Sequence, residues 1–274
     1  PKKLDVPVDH IQRVRALAPL FATARAHEDS ARELDPALMA AMHQAGLFRM
    51  LLPTWLDGAA LDPLTYTAVV EEIARHDASA AWCVNQGSGC TMVAGNLDPE
   101  VARQIFGPPD AVLAWGPSPG SRALKVEGGY RVNYKGSFAS GSRYATWMGA
   151  MAPVYDQAGQ PILDADGGVE IRAFIYPRAQ ADVKDVWHVL GLRGTGSDSF
   201  VLENLFVPDS HSLVRDDGRT RRDPSQHYRY SSTMIYSSGF AHVALGIARG
   251  FMADFMALVD KTPREARSTL RDNA

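Results

Sequence analysis

Residues 127–141 read Glu-Gly-Gly-Tyr-Arg-Val-Asn-Tyr-Lys-Gly-Ser-Phe-Ala-Ser-Gly. Gly128 and Gly129 stand between a run of β-forming residues at 122–126 and another at 130–132. A glycine pair between such runs signals a hairpin, because glycine reaches the positive φ that a tight turn requires. Working outward, apolar residues from 111 to 214 continue as short β-type runs at 146–155, 169–176, 181–186 and 200–207, separated by Gly, Asp and Pro. This predicts a middle β domain, a barrel or sandwich, over residues 110–215.

The stretch before it is punctuated differently. Asp-Pro stands at 35–36, 62–63 and 98–99, each time opening an apolar-periodic run. Asp accepts from the free amides of a first helical turn, and Pro is tolerated there because its missing N–H has no helical partner to lose. The run from Asp35 stops at Gly46, the residue type expected just past a helix end. With an amphipathic run over 8–28 and a buried helix over 78–93, weakened by Gly87 and Gly89, residues 1–109 read as a helical domain. After the β block, residues 215–229 hold five Arg, three Asp and one Pro. The acids interrupt the positive run, so a solvated linker is expected rather than a basic binding patch. Residues 231–261 form a long helix that is small and apolar on most sides and therefore wants neighbours on most sides. Either another subunit supplies them or the sequence is cut short. Residues 216–274 thus read as a linker and the first helix of an incomplete helical bundle, and the fold class is α+β.

In the 274 residues, 28 Lys and Arg face 31 Asp and Glu, a net charge of −3. No overall positive field draws such a chain to nucleic acid or anionic membrane. His227, Arg229, His242 and Arg249 argue against a bilayer span in 224–253, and no signal peptide is readable behind Pro1-Lys2-Lys3. The two cysteines, Cys83 and Cys90, form neither a disulfide framework nor a metal-ligand spacing, which suits a reducing, cytoplasmic setting. No serine-nucleophile elbow, phosphate-binding P-loop, His/Cys metal cluster or dinucleotide glycine loop is present, and the spacing of Gly191, Gly194 and Gly196 is wrong for the last.

Three patterns in the β block carry a resemblance. Leu113-Ala114-Trp115-Gly116-Pro117-Ser118-Pro119-Gly120-Ser121 is a strand running into a loop of small residues; Gly129 to Asn133 leads to Phe138-Ala139-Ser140-Gly141; and residues 187–197, WHVLGLRGTGS, precede FVLENLFVP at 200–208. With the order of helical block, β block and small-residue helix, the whole chain resembles the acyl-CoA dehydrogenase superfamily, in which flavin lies between the β domain and a C-terminal helical bundle. The resemblance implies that Ala114, Trp115, Gly120 and Ser121 belong to a loop meeting the flavin, with Trp115 standing where a Thr would offer its hydroxyl to the ring. It implies that Phe138 lies against the isoalloxazine and that Ser140 puts a hydroxyl near the reactive N5 edge, as a cofactor-binding and catalytic residue. Trp187 and Arg193 are implied as substrate contacts. Each has a plainer reading: Phe138 as a core strand residue, Trp187 as a core aromatic, and Arg193 as a structural ion-pair partner.

The form of the third pattern most resembles the two-component flavin monooxygenases of this fold, which are fed reduced flavin by a separate reductase. A dehydrogenase needs a carboxylate base to remove a proton α to a thioester carbonyl. Between residues 224 and 253 the chain has no Asp or Glu. A monooxygenase needs no such base, only a dry, hydrogen-bonded pocket where reduced flavin meets oxygen. The resemblance therefore implies FAD or FMN, a small-molecule substrate, a separate reductase and a homotetramer, with hydroxylation ahead of acyl-CoA dehydrogenation. A third alternative is a non-catalytic interaction module that keeps the fold, supported only by Trp115. The residues completing catalysis are expected in bundle helices beyond the first. An isolated first helix should expose its apolar face, and Pro263, Arg264 and Arg267 should fall in a helix connection.

Overall fold

The computed structural model describes residues 9–259, 261 and 268–273, so the connection expected at Pro263, Arg264 and Arg267 lies outside the described residues. The expected first helix is two, α1 (Asp9–Ala16) and α2 (Ala18–Ala31), divided at Leu17 because Pro19 sits in the first turn of α2. Helices α3 (Pro36–Gln44), α4 (Pro63–His76) and α6 (Pro99–Phe106) begin where Asp-Pro predicts. Asp35 accepts from the Ala37 and Leu38 amides, Asp62 from Leu64 and Thr65, and Asp98 from Glu100. Gly46 stops α3 at φ 75°, a left-handed conformation that a Cβ resists. Helix α5 (Ala78–Thr91) is buried over most of its length and runs through the middle of the molecule.

The β domain has β1 (Leu113–Trp115), β2 (Arg122–Val126), β3 (Gly129–Ala139), β4 (Trp147–Tyr155), β5 (Ile171–Pro177), β6 (Asp182–Lys184), β7 (Asp198–Pro208) and β8 (Ser212–Leu213). They pair in the order β6-β7-β3-β2-β4-β5-β8, with β1 added in parallel to β4. The β2–β3 hairpin turns at Gly128, φ 72°. Strand β3 slips register against β7 twice, the second time between Gly136 and Ala139. Such a bulge re-aims a side chain. Here it leaves Phe138 at φ 55° and 63% exposed.

The segment expected to be a solvated linker is docked instead. Asp223, His227 and Tyr228 are buried. The Trp55 indole donates to Asp223 at 2.9 Å, Asn96 donates to the Asp217 carbonyl, and the Tyr228 ring lies where a Cβ on Gly95 would fall. Aromatic burial against the helical domain outweighs the cost of ordering this polar stretch.

Helix α7 (Ser232–Val259) follows, 28 residues long, and by length and composition it is apolar enough to cross a membrane. One face lies on α4 and α5. A Cβ on Gly246 would fall 2.3 Å from the Glu71 carbonyl oxygen, and Arg249 and His242 reach the Glu71 carboxylate. The other faces are open: Leu245, Ile247, Phe251, Met252, Phe255, Met256 and Leu258 are all exposed, as expected for a bundle helix without its neighbours. Apolar patches of this kind drive association. The 274-residue chain alone is expected to self-associate in light scattering, and the pair Phe251→Glu and Phe255→Glu to make it monodisperse. A wild-type chain that is monodisperse at high concentration would contradict this.

Candidate functional site

Where α5, α7, β1 and the end of β3 converge, they frame an open cavity of about 390 Å³. Trp115, Tyr134, Phe138, Tyr236 and Phe240 make its aromatic walls, and Gln86, Ser118 and Arg215 supply the polar contacts. A second hollow, of about 540 Å³, shares Ser118 and Tyr134 with the first and is lined also by residues 119–121, Asn133, Lys135, Val201, Leu202, Glu203 and Asn204. Gly120 there has φ 80° and nothing within 4 Å of where a Cβ would be, so its backbone is open to a ligand. Two hollows that share Ser118 and Tyr134, one aromatic and one holding a lysine, suit a ligand with a flat ring and a polar tail.

Ser140 lies just past the end of β3, 6% exposed, and lines neither hollow. The Trp82 indole Nε1 donates to its Oγ at 3.0 Å. That Oγ is 2.7 Å from Ser197 Oγ, which is 2.6 Å from Thr195 Oγ1, and Thr195 Oγ1 donates to the Leu192 carbonyl at 2.9 Å. Trp82 also packs on Phe240 of α7 at 4.2 Å between ring centroids.

The residues singled out in the sequence are not all together. Trp115 and Phe138 line the aromatic cavity, while Gly120 and Ser121 line the second hollow. Trp187 meets the Phe138 ring edge-on at 6.1 Å, with its Nε1 donating to the Leu192 carbonyl at 3.0 Å. Ala114 is buried in β1 and lines neither hollow. Arg193 is likewise not brought to the cavity, because its guanidinium donates to the Asp29 carbonyl near the end of α2, so it ties the β domain to the helical one. Sequence reading missed Trp82, Gln86, Tyr134, Arg215, Tyr236 and Phe240, and quoted Ser118 in the loop at 113–121 without giving it a role. Only Thr195 and Ser197 carried a signal, as hydroxyls in Gly-Thr-Gly-Ser without an assigned role.

Beneath that segment lies a buried carboxyl. A Cβ on Gly194 would meet Glu28 Oε2 at 2.4 Å, so only glycine lets α2 approach. Burial, reinforced by the nearby Asp77 carboxylate, raises the Glu28 carboxyl to about 9 from an ordinary 4.5. Between those values the folded chain holds a proton that the unfolded chain releases, so this group costs stability progressively as pH rises from 4.5 to about 9. Glu28→Gln is therefore expected to raise Tm at pH 8 and to change it little at pH 4.5. An equal effect at both pH values would contradict a neutral Glu28.

The comparisons agree with this architecture. Residues 11–106 match the family described as acyl-CoA dehydrogenase, N-terminal domain. The helical domain thus resembles that of the acyl-CoA dehydrogenase superfamily. Among curated relatives, it is 30% identical over 233 residues to an indole-3-acetate monooxygenase of Pseudomonas putida, covering 84% of this chain and 57% of that protein. It is 27% identical over 257 residues to the oxygenase component of an FADH(2)-dependent resorcinol hydroxylase of Rhizobium sp., covering 90% and 60%. The chain thus spans little more than half the length of these relatives. Among solved structures, the 3-HSA hydroxylase of Rhodococcus sp. RHA1 superposes with a TM-score of 0.79 at 27% identity, covering 88% of this chain and 64% of that one. XiaF from Streptomyces sp., solved with FADH2 and glycerol, gives 0.85 at 22% identity over 98% and 68%, a likeness of fold.

Proposed function

We propose that this chain carries the flavin site of a monooxygenase that uses reduced flavin, FAD or FMN, to hydroxylate an aromatic or other small organic substrate. The observation that supports this best is the aromatic cavity, which shares Ser118 and Tyr134 with a second hollow that holds Lys135 and the open backbone at Gly120. Phe138 and Trp115 would hold the ring by its faces, and Lys135 with the open backbone at Gly120 would take the phosphate-bearing tail. Ser140 would contact the ring edge, and Trp187, edge-on to Phe138, would border the substrate. Reduced flavin supplies the two electrons with which dioxygen gives one oxygen atom to the substrate and one to water. The residues here bind and orient the ring and keep water away from it. Tyr236 and Phe240 close the cavity on the α7 side, and Trp82 backs Phe240.

Among the described residues lining the cavity there is no carboxylate to act as the base that acyl-CoA dehydrogenation needs, which favours the hydroxylase reading. Relatives named as an oxygenase component and as an indole-3-acetate monooxygenase support a separate flavin reductase as partner and an aromatic substrate. The free, buried Cys83 and Cys90 support a cytoplasmic setting. A homotetramer rests on the family resemblance alone.

The test is turnover of the whole protein with a flavin reductase, a nicotinamide donor and a panel of phenols and indoles under ¹⁸O₂. One labelled oxygen in a hydroxylated product is expected. Reductant consumed only as hydrogen peroxide across the panel, together with oxidation of an acyl-CoA in the same preparation, would overturn the reading.

A further inference from the structure

Among the described residues lining the aromatic cavity, Arg215 is the only charged one. Its guanidinium carbon lies 5.9 Å from the centroid of the Trp115 ring, and its side chain is 24% exposed. Among the described residues the guanidinium makes no hydrogen bond, and its only ion-pair contact is with Asp216, 3.9 Å from Nε. Asp216 is committed elsewhere. Its Oδ2 accepts from the Ser232 amide at 3.0 Å and from the Ser232 hydroxyl at 2.7 Å, which holds it on the first turn of α7.

A further hollow, of about 340 Å³, shares Met151 and Arg215 with the cavity, and its lining acids are Asp164 and Glu170. Neither neutralises Arg215. Glu170 pairs with Arg172 at 3.2 Å, and Asp164 Oδ1 accepts from the Asp166 and Gly168 amides at 2.9 Å. A guanidinium against an aromatic wall with its donors unfilled is ready for an anion, and its planar fork matches a carboxylate in two parallel hydrogen bonds.

The place of this charge decides what can meet it. Trp115 lies over β4, where a Cβ on Gly149 would fall 2.7 Å from its ring. In the sheet, β2 and β3 lie to one side of β4, with Phe138 near the end of β3, and β5 and β8 lie to the other, with Arg215 two residues beyond β8. The second hollow, which holds Lys135, shares Ser118 and Tyr134 with the cavity but not Arg215. A flavin whose ring lies at Phe138 and whose tail runs to Lys135 therefore leaves Arg215 to a second molecule at the Trp115 end.

We propose that Arg215 is a specificity-determining residue that takes the carboxylate of the substrate, so that the site hydroxylates aromatic acids in preference to neutral arenes. This rests on the flavin reading above and adds the substrate class and the residue that selects it. The ring of such an acid packs on Trp115, and its carboxylate fills the donors that the protein leaves open.

The experiment is equilibrium binding to the whole protein, at neutral pH where the acids are ionised, of 4-hydroxybenzoate and 2-naphthoate and of their primary amides, which keep the shape without the charge. The readout is the ratio of amide Kd to acid Kd, with the Kd of reduced FMN and FAD measured alongside. Wild type should prefer an acid by at least about tenfold, the worth of a charge-assisted hydrogen bond. Arg215→Gln should bring the ratio to about one and leave the flavin Kd unchanged. Arg215→Lys, which keeps the charge but loses the fork, should fall between, and it carries the test if Arg215→Gln does not fold. Lys135→Gln should weaken flavin binding and leave the ratio as in wild type. A wild-type protein that takes flavin but prefers no acid over its amide overturns the proposal alone, and so does a ratio that falls as far in Lys135→Gln as in Arg215→Gln. A ratio unchanged in Arg215→Gln, with flavin binding weakened, gives Arg215 to the flavin and overturns the proposal as well. Acid preference in a protein that binds no flavin overturns the flavin reading alone, and a protein that binds neither flavin nor acid overturns both.

Discussion

Replacing Gly246 by valine is expected to lower the unfolding free energy by about 3 kcal/mol or more, the upper range for forcing atoms into a filled contact. The positions a Cβ would meet are the Glu71 carbonyl oxygen at 2.3 Å, the Ala74 Cβ at 2.5 Å and the Arg75 amide nitrogen at 3.1 Å, mostly backbone in α4 and unable to swing aside. Gly250, one turn on, meets the Arg75 carbonyl oxygen at 2.7 Å, so the helices touch along a line and α7 cannot retreat at one end alone. The exposed face of α7 contributes nothing to holding it in place. The loss should therefore show as a lower urea midpoint together with weaker flavin binding, because Tyr236 and Phe240 leave the cavity wall when α7 lifts. A midpoint unchanged within error would mean that α7 does not lie on α4 in this way.

The second large effect separates function from stability at one residue. Phe138→Gly is expected to weaken flavin binding at least about tenfold, the scale of removing a stacked ring. It should leave the fold as stable as before or more stable by about 1 kcal/mol, the cost of holding a non-glycine residue at positive φ. Phe138 is 63% exposed, so removing the ring uncovers little core, and its φ of 55° is one that glycine adopts freely. Phe138→Ala should weaken binding to the same extent without the gain in stability, so the difference between the variants reads the backbone strain directly. Destabilisation by both would return Phe138 to the role of a core strand residue.

The features of the fold legible in sequence are those set by neighbours in the chain. Asp35, Asp62 and Asp98 cap helices through amides two or three residues away, and Gly128 turns a hairpin between adjacent strands. The small residues of α7 announce close packing too, although not the partner, which is α4 far back in the chain. What could not be read depends on partners far along the chain. Trp82 reaches Ser140 across 58 positions, and Ser140 reaches Ser197 across 57. Nothing near Trp82 in a run of alanines distinguishes a donor to that hydroxyl from an ordinary core indole. Residues 215–229 misled because five arginines suggest solvent, whereas burial is decided by Tyr228 finding the space above Gly95. Arg193 misled because the motif around it places the segment but not the direction of its side chain, which the Asp29 carbonyl decides.

Whether the site takes reduced flavin or serves acyl-CoA oxidation is tested most directly by the flavin absorbance of the whole protein as purified, recorded again after adding mixed acyl-CoA thioesters without oxygen. The expected protein arrives largely free of flavin, shows no bleaching with thioesters, and takes up flavin once it is supplied reduced. Tightly held oxidised flavin that bleaches on thioester addition would contradict a site for reduced flavin and establish a dehydrogenase.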